Sequence, residues 1–248
     1  MITAAVLIKG NPINLTRTFM SINFCKEIIV VDDKMSNEAR AIANKYNAKI
    51  IKSPNGEVFS EKRNMALKES KHDWILFVDS DEVVSEDLKK NILKGLNGTK
   101  FAGYYLKRQD YFWGQKLRWG ELWTQYSVGI IRLVKKGVGH WEGDVHEKFE
   151  TSLKIGSLNG YIVHSPHPSL KEFLLSINEY STIRARELVR KNYKSNFILI
   201  FMFPIFKFIQ TYFLYLGFLD GVAGFTYSFM MSFHSFLVRS KVFLYKKS

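Results

Sequence analysis

The sequence predicts an α/β protein: a mainly parallel sheet flanked by helices, with a helical, membrane-associating appendage at its C-terminal end. Three observations predict it. From Ile2 to about Asn97, short apolar runs alternate with helical patterns. One of those runs, Trp74-Ile75-Leu76-Phe77-Val78, passes directly into Asp79-Ser80-Asp81-Glu82. Beyond Pro166 the strand patterns stop, and amphipathic and then almost wholly apolar helical sequence takes over. An unbroken apolar run between polar residues reads as a strand buried on both faces, as in a sheet covered by helices. Successive βα units then imply parallel pairing through right-handed crossovers.

Taken in order, Ile2 to Ile8 is the first strand; it has no basic region ahead of it and is read as a strand rather than a leader. Leu15, Phe19 and Ile22 share a helical spacing, and Glu27-Ile28-Ile29-Val30-Val31-Asp32-Asp33 is a second apolar strand ending in carboxylates. Ser36 is placed to cap a helix over Asn37 to Tyr46, and Ala48 to Ile51 is a third strand. Ser60 is expected to cap the next helix, which runs to about Ser70 and leads to the fourth strand at Trp74. Phe101 to Arg108, Ser127 to Val134 and Tyr161 to His164 read as later strands. Ser169-Leu170-Lys171-Glu172 matches a capping box and opens a helix with an apolar face of Leu170, Phe173, Leu174, Ile177 and Tyr180. The domain reading is an α/β domain over 1–165, divided into halves over 1–100 and 101–165, followed by a helical extension over 166–248.

The 248 residues carry a formal net charge of +13 and a single cysteine, Cys25. One cysteine excludes an intrachain disulfide and a cysteine metal cluster, and it favours a reducing compartment. The charge calls for an anionic partner: nucleotide phosphate, anionic lipid or nucleic acid. Without a zinc-finger or RNA-binding signature, nucleic acid is set aside. Phe197 to Leu219 is long enough to cross a bilayer, but Pro204, Lys207 and Gln210 interrupt it, and a lysine at mid-bilayer costs about 2.5–3.5 kcal/mol. An interfacial helix pair is therefore expected, with aromatics dipping into lipid and Lys207, Arg239, Lys241, Lys246 and Lys247 facing anionic head groups. A helical hairpin buried against the sheet is the alternative.

Asp79 and Asp81 fall at the carboxyl end of a strand, where open α/β sheets bind ligands. Two carboxylates there repel unless a cation or solvent lies between them. A hard divalent ion held by one or two carboxylates and a substrate's phosphates meets that need. The competing reading is an ordinary helix start at Ser85-Glu86-Asp87. Farther on, Trp119, Glu121 and Trp123 mix aromatics with charge, as sugar-stacking platforms do, although core packing also uses such residues. Gly139 to Glu147 then gathers His140, Trp141, Glu142, Asp144, His146 and Glu147 within nine residues.

Val30-Val31-Asp32-Asp33, Lys62-Arg63-Asn64-Met65-Ala66-Leu67 and Asp79-Ser80-Asp81-Glu82, in this order and spacing, resemble the family 2 glycosyltransferases with the GT-A fold. Arg132-Leu133, Val145-His146-Glu147, His164, Asn178-Glu179-Tyr180-Ser181 and Gly217-Phe218-Leu219-Asp220-Gly221 resemble the branch that builds lipopolysaccharide core and related surface polysaccharides. The resemblance implies that Asp33, with Asp32, accepts hydrogen bonds from the donor's base or ribose. It also implies that Lys9, Arg63, Asn64 and Asp79 serve the donor, and that Asp81, with Asp79 and His164, holds Mn²⁺ or Mg²⁺ at the diphosphate. Attack by an acceptor hydroxyl needs a general base, for which Glu147 is the first choice, with Asp144, Glu142 and Glu121 as rivals and His146 or His164 to orient it. Trp119, Glu121, Trp123 and Trp141 fall on the acceptor side. The Gly-Trp-x-Pro-Asp segment usual before Arg-Leu is replaced here by Trp119-Gly120-Glu121-Leu122-Trp123-Thr124.

The implied function is metal-dependent, inverting sugar transfer from a nucleotide-diphosphate donor to a lipid-linked or lipopolysaccharide-core acceptor, by a peripheral or monotopic protein on the cytoplasmic face of the inner membrane. Two alternatives are a nucleotidyltransferase, for which Lys9-Gly10-Asn11-Pro12 makes a poor triphosphate loop, and a non-catalytic membrane or nucleic-acid adaptor.

Overall fold

A computed structural model of the chain describes residues 1–53, 58–96, 98–143, 147–166 and 169–245. In chain order the elements begin with β1 (Ile2–Gly10), α1 (Leu15–Ile22), β2 (Glu27–Met35), α2 (Asn37–Lys45), β3 (Lys49–Lys52), α3 (Phe59–Glu69) and β4 (Trp74–Asp79). There follow β5 (Glu82–Val84), α4 (Glu86–Gly95), β6 (Gly103–Phe112), β7 (Gln115–Leu117), α5 (Trp123–Ser127), β8 (Ile130–Lys135), β9 (His140–Glu142), β10 (Lys148–Glu150) and β11 (Ile155–His164). Helices α6 (Leu170–Arg190), α7 (Phe197–Phe208) and α8 (Gly221–Tyr245) complete the chain.

The chain divides into two compact units: Met1–Gln109 with Ser127–His164, and Asp110–Tyr126 with Ser165–Ser248. Residues 110–126, expected within the second half of the α/β domain, thus group with the C-terminal helices.

In the first unit the strands run β3-β2-β1-β4-β8-β6-β11-β5. The β3-β2-β1-β4 portion is parallel, as the βα alternation requires, and β8 adds antiparallel to β4. The apolar run of β4 is buried on both faces, and its alternation divides the core. Leu76 and Val78 pack with Leu15, Phe19 and Ile22 of α1, while Ile75 and Phe77 pack with Ala66 and Leu67 of α3, Trp141 and Phe149. Helix starts follow local chemistry. The Ser36 hydroxyl accepts from the Ala39 N–H (3.1 Å), and that of Ser85 from the Leu88 N–H (3.3 Å). Ser60 is not a cap: α3 begins one residue earlier behind extended Val58, and Ser60 is buried inside it.

Cys25 is buried after α1, and desolvation pushes its thiol up to about 12. Because the thiolate is the nucleophile, the native protein should resist iodoacetamide at pH 8 and label fully only after denaturation. Mass spectrometry of timed aliquots checks this; rapid native labelling would mean that this end of α1 opens readily.

In the second unit, Ser169 makes the expected capping box, its hydroxyl accepting from the Glu172 N–H (3.3 Å) and donating to the Glu172 carboxylate (3.0 Å). Both α6 and α7 pack on α8. Phe112, Leu117, Leu122, Phe173, Ile177, Ala223 and Met230 form the unit's buried core. Helix α7 and the π-helical turn after it, Ile209–Leu214, make an 18-residue stretch long and apolar enough to cross a membrane. Phe197, Ile198, Phe201, Phe206, Phe213 and Leu214 are exposed.

The cations expected to face lipid, Lys207, Arg239 and Lys241, are half-buried and have partners within the unit. Lys207 pairs with Glu121, and Arg239 lies over the rings of Phe203 (4.2 Å) and Tyr193 (5.2 Å). Lys241 Nζ lies within hydrogen-bond distance of four acceptors for its three N–H groups, the Asn178 carbonyl (2.7 Å) and Oδ1 (2.8 Å) and the hydroxyls of Ser181 (2.8 Å) and Thr182 (2.7 Å). Lys246 and Lys247 lie outside the described residues.

Candidate functional site

The two aspartates after β4 have different partners. Asp79 accepts from Arg132 Nη2 at 2.5 Å, with Arg63 Nη2 at 3.5 Å. Arg132 Nη2 also reaches Glu82 Oε1 at 3.1 Å, and the other oxygen of Glu82 accepts the Asp79 N–H at 3.0 Å. Glu82 is 0% exposed and has Arg108 at 4.0 Å as well. Asp81 faces a different neighbour, His164 Nε2, at 3.5 Å. The register of β11 on β5 sets His164 opposite Glu82, which brings the imidazole to this strand end.

The electrostatics follow the partners. Burial by itself would raise the Asp79 carboxyl, but the guanidinium of Arg132 and then that of Arg63 outweigh it and hold the group well below the ordinary carboxylate range. Burial dominates at Glu82 and pushes it up despite Arg132. For Asp81, His164 more than offsets burial, and the carboxyl is lowered. Arg132 is raised, the carboxylates of Asp79 and Glu82 overcoming its desolvation.

The upstream residues extend this network. Arg63 is buried between the rings of Phe77 (5.2 Å) and Trp141 (5.1 Å), and its Nε donates to Glu147 Oε1 at 2.6 Å. Its Nη1 has no partner among the described residues. The Asn64 side chain clamps the Trp141 backbone, donating to its carbonyl and accepting from its N–H, both at 2.8 Å. At the end of β2, Asp32 is held by Arg40 and by the Met35 N–H (2.7 Å). Asp33 pairs at 2.6 Å with Lys62, which is buried, and Lys9 stands opposite Asp33 in the β1–β2 register. Asp144 and His146 lie outside the described residues.

In the second unit, Trp119 and Trp123 stack with centroids 4.7 Å apart and planes 4° from parallel. Trp123 is 44% exposed, and Glu121 between them pairs with Lys207. Trp141 belongs to the first unit and is 4% exposed among Phe77, Phe149 and Arg63. Its ring is a packing surface, so the acceptor-side expectation for Trp141 is replaced by a core role.

Sequence reasoning assigned no role to Arg132, Glu82 or Lys62. A signal existed for the first: an arginine inside Ile130-Ile131-Arg132-Leu133-Val134 is a charge in an apolar strand, which folds only with a carboxylate partner.

Divalent-cation fit can be judged from these donors. Asp79 is already neutralised by guanidinium, whereas Asp81 and His164 offer a carboxylate and an imidazole side by side. Among the described residues no cluster of three or more His, Cys, Asp or Glu side chains forms a complete cage. One carboxylate with open positions is the kind of site that Mg²⁺ or Mn²⁺ completes with phosphate and water.

Residues 15–153, more than half of the chain, match the family described as Glycosyl transferase family 2. An uncharacterized glycosyltransferase of Rickettsia conorii is 28% identical over 260 residues, covering 97% of this chain and 89% of the relative. The lipopolysaccharide core biosynthesis glycosyltransferase LpsC of Rhizobium meliloti is 21% identical over 254 residues, covering 98% and 92%. The crystal structure of S. aureus TarS 1-349 has a similar fold, with a TM-score of 0.50 at 13% identity over 99% of this chain and 91% of that one.

Proposed function

The chain belongs to glycosyltransferase family 2, and from that premise we propose a metal-dependent, inverting transfer of a sugar from a nucleotide diphosphate to a lipid-linked or lipopolysaccharide-core acceptor, at the cytoplasmic face of a membrane. Glycosyl transfer from a nucleotide-sugar donor is the family's activity; the metal, stereochemistry, acceptor and location are the proposal. The observation that carries it is the division of labour after β4. Arg132 neutralises Asp79, which leaves Asp81 and His164 as the pair to hold a cation.

In this reading Asp33, oriented by Lys62, binds the nucleoside, and the unpartnered Nη1 of Arg63 turns to donor phosphate. Asp81 and His164 would hold the cation, which would supply Lewis-acid neutralisation of charge on the departing diphosphate. Glu147, held by Arg63, takes the proton of the acceptor hydroxyl as that oxygen attacks the anomeric carbon. The new C–O bond forms on one face while the bond to the diphosphate breaks on the other, which inverts the centre. Trp119 and Trp123 offer a flat, partly exposed surface on which an acceptor sugar ring can stack. Membrane contact rests on the exposed aromatics of α7 and its following turn, and on an anionic surface attracted by the net charge of +13. The family relative LpsC, named for lipopolysaccharide core synthesis, supports this acceptor class.

A thermal-shift panel of nucleotide sugars tests the reading. Mass action predicts about 2.7 kcal/mol of stabilisation at a hundred times the dissociation constant. One donor is expected to raise the melting temperature with Mn²⁺ and to lose most of that effect in EDTA. Equal shifts with and without chelator would remove the cation from the proposal.

A further inference from the structure

Resting on the acceptor-side reading of Trp119 and Trp123, we infer that Asp220 is a positioning residue that fixes the tryptophan platform to the lipid-facing turn, so that both act as one rigid part. A single carboxylate oxygen of Asp220 accepts two consecutive backbone N–H groups, those of Arg118 (2.9 Å) and Trp119 (2.8 Å). Charge-assisted bonds of this kind are about twice as strong as neutral ones. The grip is repeated on either side. The Gly120 N–H donates to the Tyr215 carbonyl at 2.9 Å, and Glu121 pairs with Lys207. Four successive residues of the platform, 118–121, are therefore bound by the segment 207–220.

That segment holds its own shape. A Cβ at Gly224 would fall 2.0 Å from the Gly217 carbonyl, so only glycine permits the tight turn that presents Asp220. Around it Leu214, Leu219 and Val222 are 70%, 53% and 77% exposed, an apolar rim on which water gains nothing and lipid does. The platform's backbone is thus held at hydrogen-bond distance by the same turn that carries the rim. A sugar stacked on it is one close to its lipid anchor, not the far end of a long saccharide.

The test compares binding of short-core (deep-rough) lipopolysaccharide by wild type, Asp220→Ala, Asp220→Asn and Trp123→Ala full-length proteins. The Mn²⁺–nucleotide-sugar thermal shift serves as the measure that each variant is folded with an intact donor site. Asp220→Ala is expected to bind about tenfold more weakly, the factor equivalent to 1.4 kcal/mol, with an unchanged donor shift. Asp220→Asn, which keeps one acceptor oxygen, should recover part of the loss even if the alanine variant folds poorly. Trp123→Ala should weaken binding at least as much. Unaltered lipopolysaccharide affinity in Asp220→Ala, with Trp123→Ala impaired, would overturn the positioning role alone. Unaltered affinity in Trp123→Ala, or no saturable binding by wild type, would overturn the acceptor reading and this inference with it. Equal loss of donor shift and acceptor binding in both Asp220 variants would make the residue merely structural.

Discussion

Replacing Arg132 with methionine is expected to cost about 3–5 kcal/mol of stability, the loss typical when one partner of a buried ion pair is removed. Glu82 is fully buried, and Arg132 is its nearest cation at 3.1 Å, with Arg108 at 4.0 Å. Without the guanidinium, Glu82 must take up a proton or draw in water, and Asp79 keeps only the longer contact to Arg63. Native domains have only about 5–15 kcal/mol in hand, so much of the margin would go. Urea unfolding at pH 7 checks this, with an unchanged m-value showing that the unfolded state is the same. A midpoint shift worth less than about 1 kcal/mol would mean that Glu82 is indifferent to its partner. The pH dependence adds a signature. Because Asp79 is depressed in the folded protein, its contribution is present above the unfolded value of about 3.9 and is lost as pH falls toward the folded one. The methionine variant should lose most of that acid-side dependence.

Asp81→Asn should do the opposite: little change in stability and a loss of transfer on the order of 10²–10³-fold, the scale on which removing one preorganised electrostatic contact acts. Asp81 is partly exposed and its only close ionic neighbour among the described residues is His164, so asparagine leaves no buried charge stranded. Asparagine also keeps the side chain's shape while removing the charge that would hold a cation. The decisive measurements are kcat/KM across a Mn²⁺ titration and the donor-induced thermal shift in Mn²⁺. Transfer within about tenfold of wild type would move the cation role away from this residue. Taken together, the two variants separate a structural carboxylate network from a chemical one two residues away.

The sequence by itself determined the four βα units of the first hundred residues, several helix starts and where chemistry begins. The apolar run at Trp74–Asp79 reads as an inner strand because it is short, bounded by polar residues and set in a βα alternation that leaves both its faces covered. Ser36, Ser85 and Ser169 each stop a chain from running straight, since a hydroxyl three residues ahead of a free N–H is a local matter. The donor-half motifs were legible for the same reason: each is a few contiguous residues at a strand end or on a helix. Ser60 misled because α3 starts one residue earlier, at Phe59 behind extended Val58, which places the serine inside the first turn.

Only the tertiary structure decided which partner each carboxylate meets. Asp79 and Asp81 are nearly indistinguishable in the sequence. They part company because antiparallel pairing sets Leu76 opposite Leu133 and so delivers Arg132 to the end of β4, while β11 delivers His164. In the same way Trp141, which looked like a binding face, sits in the core with its backbone clamped by Asn64, and Lys207 and Lys241, still partly exposed, found partners elsewhere in their own unit. Asp220 lies 101 residues from the Trp119 amide that it holds. Period, caps and turns act over a few residues and can be read along the chain. The partner that a charge finds depends on strand register and helix packing across tens of residues, and those are fixed only when the whole core closes.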